Sequence, residues 1–314
     1  MPPYTQLDEN RISEIVGAYG IDRITHFQAL EGGSENTNYR IDTVDGTYVL
    51  TLSETKQAST VLELADLLIH LEVNGFKTSR VLPTKAGDYL SSFEGKPVLL
   101  KEFLHGKIVE DLSSEMLFKI GASMATLHAV PVPEPMKNQF SYGMDVLTVA
   151  DALSEHPFAA WTANTRGRIQ REIDEGLRRG LIHGDVFFNN VVVTEEAGPV
   201  IMDFEEAGHY YLVFDLGMAI VGLCCQSGTI DRAKVHSLIR GYQSINPLNR
   251  TEIEKLECFV AYAAAVTACW RFSQFRLVQP DATKRDRYLE MKRIADEALA
   301  IADSEFETLW ESVQ

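Results

Sequence analysis

The first hundred residues alternate apolar and polar positions, a pattern that predicts a small antiparallel sheet. Three strand-like segments are rich in Tyr, Val and Leu: His26–Leu30, Asn38–Val44 and Thr47–Leu52. Asp45-Gly46, which links the second segment to the third, is a strong signal for a tight hairpin. Strand pattern continues in "RVLPT" (80–84) and "DYLSSFEGKPVLLKEFL" (88–104), where Glu94-Gly95 predicts another turn.

One helix is predicted within this sheet region. Apolar residues keep helical spacing from Val61 to Val73. Thr60 and Glu63 fit a capping box at the start of this helix, and Gly75 follows its end.

Helical spacing dominates after "EFLHG" (102–106). A helix beginning near Ser113 is marked by Met116, Ile120, Met124 and Leu127. After a proline-containing loop, a second helix that ends at Gly180 is marked by Ile169, Ile173 and Leu177. Two short apolar strands are predicted in "GLIHGDVFFNNVVV" (180–193) and "PVIMDFEEAG" (199–208), and the remainder from Phe214 is mostly helical.

These patterns predict an α+β chain with two lobes. A small antiparallel sheet lobe takes residues 1–103, and a larger, mainly helical lobe takes residues 104–314. The boundary falls near Lys101–Gly106, and ligand sites often lie in the cleft that two such lobes form.

Composition and charge narrow the possible functions. The 314 residues are 45% apolar and 24% charged, which is ordinary for a globular protein. The net charge of −16 would repel nucleic acids and anionic membrane surfaces. Any phosphate group must therefore be held locally, by metal ions, backbone amides or a few basic groups.

We expect a cytoplasmic protein. No apolar run approaches the about 20 residues that span a bilayer, and the N-terminus lacks a basic segment followed by an apolar core. The four cysteines have no CxxC spacing and lie in apolar segments, which favours buried, reduced thiols.

A polar cluster stands in front of the apolar run at 191–193. Asp185 follows His183 by two residues, Asn190 follows Asp185 by five, and Asp203 ends the run "VIMDF". The short step between the two strands predicts a hairpin that brings Asn190 and Asp203 together. Amide and carboxylate oxygens, completed by waters and substrate phosphates, suit Mg²⁺. Asp185 would then stand at the loop tip, able to accept the proton of a hydroxyl, as phosphoryl transfer requires.

Simpler roles exist for the same residues. Asp185 and Asn190 could cap turns, although their joint spacing before an apolar strand and Asp-Phe favours a catalytic site. His183 is expected to brace the loop by hydrogen bonding, not to act as a base. Asp215 is expected to brace the same loop, with a helix N-cap as the alternative. Glu63 either pairs with a phosphate-binding lysine or serves only the capping box.

The pattern H-G-D-x-x-x-x-N followed by D-F resembles the aminoglycoside, choline and homoserine phosphotransferase branch of the protein-kinase-like fold. "GGSENTNYRIDTVDGTYVLTLSE" (32–54) resembles the opening of the type II homoserine kinases, and "FDLGMAI" (214–220) also fits that branch. The resemblance covers most of the chain. It implies ATP and Mg²⁺ as ligands, a nucleotide site between the lobes and a hinge near Lys101–Leu104. The residues it implies for the nucleotide are Gly33, Ser34, Asn36, Glu102 and Leu104.

One position departs from the protein-kinase pattern. Protein kinases carry a lysine in the third strand, as in V-A-I-K, whereas "YVLTL" (48–52) has Thr51 there. The type II homoserine kinases are similar to this chain here too, which leaves open the group that meets the α- and β-phosphates. Lys56 and the turn Ser34–Asn38 are candidates. A non-catalytic nucleotide-binding relic would also lack the lysine, but it need not keep the three polar site residues together.

The acceptor is expected to be a hydroxyl of a small molecule, because "EEAGHYYLVFD" (205–215) is too short for a regulated protein kinase's activation segment. The N-terminal signature favours L-homoserine, whose ammonium Glu205 or Glu206 could meet and whose carboxylate Arg271 could meet. A choline- or ethanolamine-type substrate is the alternative, and it would use the aromatic residues of the same segment with Trp270. An aminoglycoside would need a broadly acidic pocket.

Overall fold

The structure, a computed structural model, describes residues 5–30, 36–149, 156–173, 175–302 and 309. The chain divides into two compact units, Met1–His105 and Gly106–Gln314. We call them the sheet unit and the helical unit. Each contains its own buried apolar core.

The sheet unit contains an antiparallel sheet with strand order β1-β2-β3-β5-β4. Its strands are β1 (Ile24–Leu30), β2 (Asn36–Thr43), β3 (Thr47–Ser53), β4 (Ser91–Phe93) and β5 (Lys96–Glu102). Its helices are α1 (Glu9–Gly17) and α2 (Ala58–Val73). Because side chains alternate along a strand, one face carries the apolar core, with Leu50 and Leu52 fully buried. Thr51 and Ser53 point to the opposite face.

The predicted hairpins are present, but one turn differs from the expected geometry. Glu94 (φ 49°) and Gly95 (φ 79°) form the turn between β4 and β5 in the left-handed region, as tight hairpin turns require. Between β2 and β3, neither Asp45 nor Gly46 has a positive φ. The Thr43 hydroxyl accepts the N–H groups of both residues at 3.1 Å. The Asp-Gly pair therefore marks this hairpin without adopting the tight-turn conformation.

Two local predictions in the sheet unit are wrong. Helix α2 begins earlier than predicted, and its N-cap is Gln57 with no side-chain hydrogen bond, so the capping box of Thr60 is absent. The segment 80–84 forms no strand, and Val81 makes only an isolated bridge to Lys101. Pro83 follows closely and has no N–H with which to continue a ladder.

The helical unit combines short strand pairs with longer helices. The strands are β6 (Gly106–Ile108), β7 (Arg179–Ile182), β8 (Val191–Thr194), β9 (Gly198–Ile201), β10 (Gly208–Tyr211), β11 (Cys225–Gln226) and β12 (Thr229–Ile230). They pair as β6-β8-β9, β7-β10 and β11-β12. The helices are α3 (Ser114–His128), α4 (Pro157–Glu172), α5 (Leu212–Leu223), α6 (Arg232–Gln243), α7 (Arg250–Phe272) and α8 (Tyr288–Ala302).

Of the two helices predicted before the polar cluster, the first begins where predicted and the second ends earlier than predicted. Helix α3 follows Ser113, whose hydroxyl accepts the N–H of Met116 at 3.3 Å, as a helix N-cap does. Helix α4 ends at Glu172, so the prediction that it continues to Gly180 is wrong. Ile173 is extended, and Gly180 lies in β7, where a Cβ would approach the Leu212 side chain at 2.9 Å.

Helices α3 and α6 make a close contact through two glycines. A Cβ on Gly121 would lie 2.0 Å from the carbonyl oxygen of Leu238, and one on Gly241 would lie 1.9 Å from that of Phe118. Only glycine therefore permits this separation of the two helix backbones.

All four cysteines are free thiols, as predicted. Cys224, Cys258 and Cys269 are buried and Cys225 is half-buried. Among the described residues, none of the helices has the length and apolar character needed to span a bilayer.

Candidate active site

Two strand pairs position the polar cluster. Strand β7 pairs with β10 and leads directly into His183–Asp185. The predicted β8–β9 hairpin is confirmed: Val191 pairs with Ile201, and the N–H of Met202 donates to the carbonyl of Asn190 at 2.9 Å. Asn190 therefore immediately precedes the hairpin, and Asp203 lies two residues beyond its second strand.

Asp185 and Asn190 contact each other. The amide nitrogen Nδ2 of Asn190 donates to Asp185 Oδ2 at 2.8 Å and to the Asp185 carbonyl at 2.9 Å. Asn190 is buried, and Asp185 is half-buried. The amide nitrogen is thus committed to Asp185. The amide oxygen, which accepts from Asn189 at 3.2 Å, is the atom that a metal would meet.

His183 is fully buried, and both of its ring nitrogens are engaged. Nε2 lies 3.0 Å from the carbonyl of Met202, to which it must donate, and Nδ1 accepts the N–H of Asp185 at 3.2 Å. The ring packs edge-on against that of Phe204, with 4.6 Å between the two ring centroids. These contacts leave His183 no free nitrogen for proton transfer and link the loop to the β9 end of the hairpin.

Asp215 holds the same loop from α5. Its fully buried carboxylate accepts the N–H groups of His183 at 3.0 Å and Gly184 at 2.7 Å, and a ring N–H of His128 at 3.0 Å. Burial alone would raise the pKa of Asp215, but the hydrogen bonds from His128 and His183 lower it below its usual value. Because Tyr211 is the N-cap of α5, the N-cap alternative for Asp215 is wrong.

Gly184 explains the glycine of the His-Gly-Asp sequence. Its φ is +82°, and a Cβ there would lie 2.5 Å from the carbonyl oxygen of Glu206. Both the backbone conformation and the close approach require glycine. The loop therefore lies directly against the segment that carries Glu206.

The surroundings of Asp185 and Asp203 suit a cation. Burial raises the pKa of Asp185, and the negative charge of Asp203 raises it further, against the effect of the Asn190 hydrogen bond. Asp203 is exposed and has a φ of +68°, a strained conformation of the kind found at functional sites. Within the described ranges, no group of three or more His, Cys, Asp or Glu residues could hold a metal ion. Any ion here would therefore rely on few protein ligands.

The predicted substrate residues lie on different elements. Glu205 and Glu206 are half-buried and follow Asp203 in the chain. Arg271 lies in the last turn of α7 and already contacts Glu290: its Nη1 donates to that carboxylate at 2.9 Å.

Tyr142 is a residue near the predicted site that the sequence did not indicate. Burial raises the pKa of its hydroxyl well above the usual value, and the negative charges of Asp185 and Glu206 act in the same direction. The positive charge of Arg271 opposes them. Tyr142 therefore interacts electrostatically with all three predicted residues. It lies in an irregular segment without local periodicity, so only the tertiary structure reveals it.

The predicted nucleotide residues lie in the sheet unit. Gly33 and Ser34 fall outside the described residues, and Asn36 is buried at the start of β2. Glu102 ends β5, where its carbonyl accepts the Ser79 hydroxyl at 2.7 Å, and Leu104 follows half-buried.

Thr51, which replaces the kinase lysine, has a buried hydroxyl without a hydrogen-bond partner. Lys56, the candidate replacement, is half-buried. Glu63 is exposed on α2, and the capping box that would have explained it is absent.

The aromatic residues proposed for a choline cage are largely used in packing. Phe214 is fully buried, and the Tyr210 hydroxyl contacts that of Tyr262 at 2.8 Å. The guanidinium of Arg179 lies 5.7 Å from the ring of Tyr210 and 5.1 Å from that of Tyr211. These rings therefore already have a cation beside them.

The antiparallel sheet unit followed by the helical unit gives the chain a fold similar to that of solved small-molecule kinases. The chain is similar in structure to a microcompartment-associated aminopropanol kinase, with a TM-score of 0.75 and 18% identity over 96% of this chain and 100% of that one. It is also similar to a choline kinase from Streptococcus pneumoniae, with a TM-score of 0.66 and 17% identity over 93% and 98%. At these identities the similarity shows the fold, which confirms the predicted architecture.

Residues 26–248 match the phosphotransferase enzyme family, and the chain belongs to that family. A homoserine kinase of Methylobacterium radiotolerans is 27% identical over 95% of this chain and 98% of its own length. A homoserine kinase of Rhizobium meliloti is 24% identical over 98% and 97%. The resemblance drawn from the sequence is thereby confirmed.

Proposed function

We propose that this protein is an ATP-dependent homoserine kinase, which transfers the γ-phosphoryl group of ATP to the side-chain hydroxyl of L-homoserine. The curated relatives that cover nearly the whole chain are named homoserine kinases. The observation that carries the chemistry is the 2.8 Å contact of Asn190 Nδ2 with Asp185 Oδ2, on a loop that Asp215 fixes.

Asp185 is proposed to orient the acceptor hydroxyl and take its proton. Asn190 holds Oδ2, so Oδ1 is the oxygen proposed to accept the substrate's hydroxyl proton. As the bond from the homoserine oxygen to Pγ forms, the bond from Pγ to the β–γ bridging oxygen breaks. ADP leaves with that electron pair, and the proton passes to Asp185. Burial raises the pKa of Asp185, which favours transfer of the proton to its carboxylate.

Mg²⁺ would be held by the amide oxygen of Asn190 and the carboxylate of Asp203. When bound there, the ion would neutralise charge on the phosphates. The residues fit this role because the Asn190 amide nitrogen is already committed and because Asp185 and Asp203 place two negative charges close together.

The nucleotide is proposed to use the residues of the sheet unit that the sequence predicted. The backbone of Glu102 and Leu104 would meet the adenine. Asn36, with Gly33 and Ser34, is proposed to meet the phosphates through neutral donors, since Thr51 supplies no charge.

The acceptor is proposed to lie beside Tyr142. Glu206, or its neighbour Glu205, would meet the ammonium group of homoserine. Arg271 would meet the carboxylate: one nitrogen contacts Glu290, and a guanidinium has five N–H donors in all. A zwitterion therefore matches the opposite charges around Tyr142.

A comparison of three alcohols tests the substrate. ADP release is measured with L-homoserine, its decarboxylated analogue 3-aminopropanol, and choline, and we expect the highest kcat/KM for homoserine. Arg271→Ala is expected to raise the KM for homoserine and to leave that for 3-aminopropanol nearly unchanged. Arg276→Ala, which removes a nearby arginine bound to Asp286, is the control. Equal or better turnover of choline would overturn the homoserine assignment.

Calorimetry of ATP binding with and without Mg²⁺ tests the metal residues. Asp203→Ala is expected to abolish the metal-dependent part of the affinity. Asn190→Ala is expected to weaken it less, because a neutral ligand contributes less charge. Unchanged affinity in both variants would contradict the proposed metal site.

A further inference from the structure

A chain of buried hydrogen bonds leads away from Asp215 into the helical unit. His128 Nε2 lies 3.0 Å from the Asp215 carboxylate, and His128 Nδ1 lies 2.9 Å from the Tyr242 hydroxyl. Asn246 Nδ2 donates to the same hydroxyl at 3.2 Å. His128 is buried, Tyr242 is fully buried and Asn246 is half-buried, so the two bonds of His128 are shielded from water. None of His128, Tyr242 and Asn246 was singled out by the sequence.

The far end of this chain is an ion pair. Arg178 donates to Asn246 Oδ1 at 2.7 Å. It also donates two hydrogen bonds, at 2.8 and 2.6 Å, to the carboxylate of the fully buried Glu252. Glu252 belongs to the capping box at the start of α7, together with Asn249. Arg178 also immediately precedes β7, the strand that ends in the catalytic loop. The ion pair thus anchors the loop through the strand and through the hydrogen bonds.

The direction of every hydrogen bond in this chain is determined by Arg178. A guanidinium can only donate, so Asn246 must turn its oxygen to Arg178 and its nitrogen to Tyr242. The Tyr242 oxygen accepts from Asn246, and its own O–H is left to donate to His128 Nδ1. His128 must then carry its proton on Nε2, which donates to Asp215.

The close approach of α3 and α6 makes this geometry possible. His128 ends α3 and Tyr242 lies in the last turn of α6. Gly121 and Gly241 let the two helix backbones approach until a Cβ at either position would lie 2.0 Å or less from the facing backbone. A wider separation would take the Tyr242 hydroxyl out of hydrogen-bonding range of His128.

We propose that Tyr242 and Asn246 are positioning residues for phosphoryl transfer. They fix His128 as an Nε2 donor and so hold the Asp215 carboxylate where it binds the N–H groups of His183 and Gly184. Neither residue touches the reactants; both act on the placement of Asp185. The kinetic part of this inference rests on the proposed function, whereas the protonation pattern of His128 does not.

Tyr242→Phe removes the hydroxyl and keeps the buried ring. We expect kcat to fall about ten- to hundredfold, because small displacements of catalytic groups have effects of this size, with the KM values for ATP and homoserine unchanged within about twofold. Tyr262→Phe is the control, since Tyr262 is also fully buried and its hydroxyl lies 2.8 Å from that of Tyr210. Tyr242→Phe loses the hydrogen bonds with His128 and Asn246, and Tyr262→Phe loses the one with Tyr210, but only Tyr242→Phe should slow turnover. Equal kcat values in the two variants would overturn the proposal.

Asn246→Asp provides a second test that removes no heavy atom from the chain. A carboxylate cannot donate, so Tyr242 would turn its O–H toward residue 246 and leave His128 Nδ1 without a donor. We expect a loss of kcat like that of Tyr242→Phe, and no further loss in the double variant, because both changes break one interaction. Additive losses would contradict the proposal.

Nitrogen-15 NMR of the histidines gives a readout that needs no substrate. In the unmodified protein, His128 should show a protonated Nε2 and an unprotonated, hydrogen-bonded Nδ1, and the Nδ1 signal should shift in Tyr242→Phe. A proton on Nδ1 in the unmodified protein would overturn the inference. If no alcohol is phosphorylated, the proposed function fails, while the NMR result still decides the direction of the hydrogen bonds.

Discussion

The sheet unit and the helical unit differ in how completely their buried polar side chains are hydrogen-bonded. Among the described residues, four buried side-chain hydroxyls have no hydrogen-bond partner, and all four lie in the sheet unit: Thr51, Ser53, Thr84 and Ser91. In the helical unit, the buried groups around the catalytic loop are each bound. Asp215 accepts three donors, and both ring nitrogens of His183 and His128 are engaged.

This difference indicates which buried side chains are held in place by hydrogen bonds. A buried group with partners is costly to alter, because removing one partner leaves the other unsatisfied. A buried hydroxyl without partners can be removed at little cost, or with a gain. The His183–Asp185 loop is therefore preorganised by its neighbours, whereas the side-chain hydroxyls of Thr51 and Ser53 on β3 are not held by hydrogen bonds.

The largest effect is expected at the catalytic loop. Asp185→Asn is nearly isosteric and keeps the fold, but it removes the group that accepts the proton. Turnover of homoserine should fall about 10²- to 10⁴-fold, the usual contribution of a general base, while ATP binding is retained. Asp111→Asn, at a side chain that is 81% exposed, is the control. Near-native turnover in Asp185→Asn would exclude the assigned role.

A smaller effect, on stability, is expected at Glu54, a charged group of the sheet unit that does have hydrogen-bond partners. Burial would raise the pKa of Glu54, but hydrogen bonds from Lys96, Thr37 and the N–H of Thr5 lower it from 4.5 to about 2. Because the folded-state pKa is depressed, this group stabilises the protein above pH 4.5, and the stabilisation is lost as the pH falls toward 2.

Glu54→Gln should therefore lower the free energy of unfolding at neutral pH by up to about 3 kcal/mol. The difference from the unmodified protein should shrink as the pH falls through the same window. Thermal unfolding followed across that range measures it. A difference that stays constant with pH would show that Glu54 is not the titrating group.

The smallest effect is expected where a hydroxyl has no partner. Thr51→Val removes the unpaired oxygen and keeps the shape, so stability should be unchanged or rise by up to about 1 kcal/mol. Thr37→Val is the matched substitution: that hydroxyl is bonded to Glu54, and its loss should cost about 1 kcal/mol. Equal destabilisation by the two changes would remove the contrast between paired and unpaired hydroxyls.

The sequence predicted features whose cause is local. The Ser113 N-cap, the Glu94-Gly95 turn and the β8–β9 hairpin each depend on a few neighbouring residues, and each is present. The H-G-D-x-x-x-x-N spacing also identified the family, because Asp185 and Asn190 meet within one loop.

Features that depend on distant contacts could not be predicted in this way. Leu177 continues the helical spacing of α4, but it lies beyond the end of that helix and is buried there. Its neighbour Arg178 is fixed by an ion pair with Glu252, which is distant in the sequence. Tyr142 and Tyr242 stand in segments without any motif. Their roles follow from which helices and loops pack together, and a single sequence does not record that.

The close approach of α3 and α6 at Gly121 and Gly241 also limits which amino acids these two positions can accept. A single added methyl group at either position would meet a backbone carbonyl, so a saturation mutagenesis screen should recover almost no replacements there. Gly167, in α4, has only the flexible end of Arg171 near the place of a Cβ, at 4.0 Å. Alanine at position 167 should be accepted and should even favour the helix. The mutational tolerance of these glycines is thus decided by the helix that each one faces, and not by the helix to which it belongs.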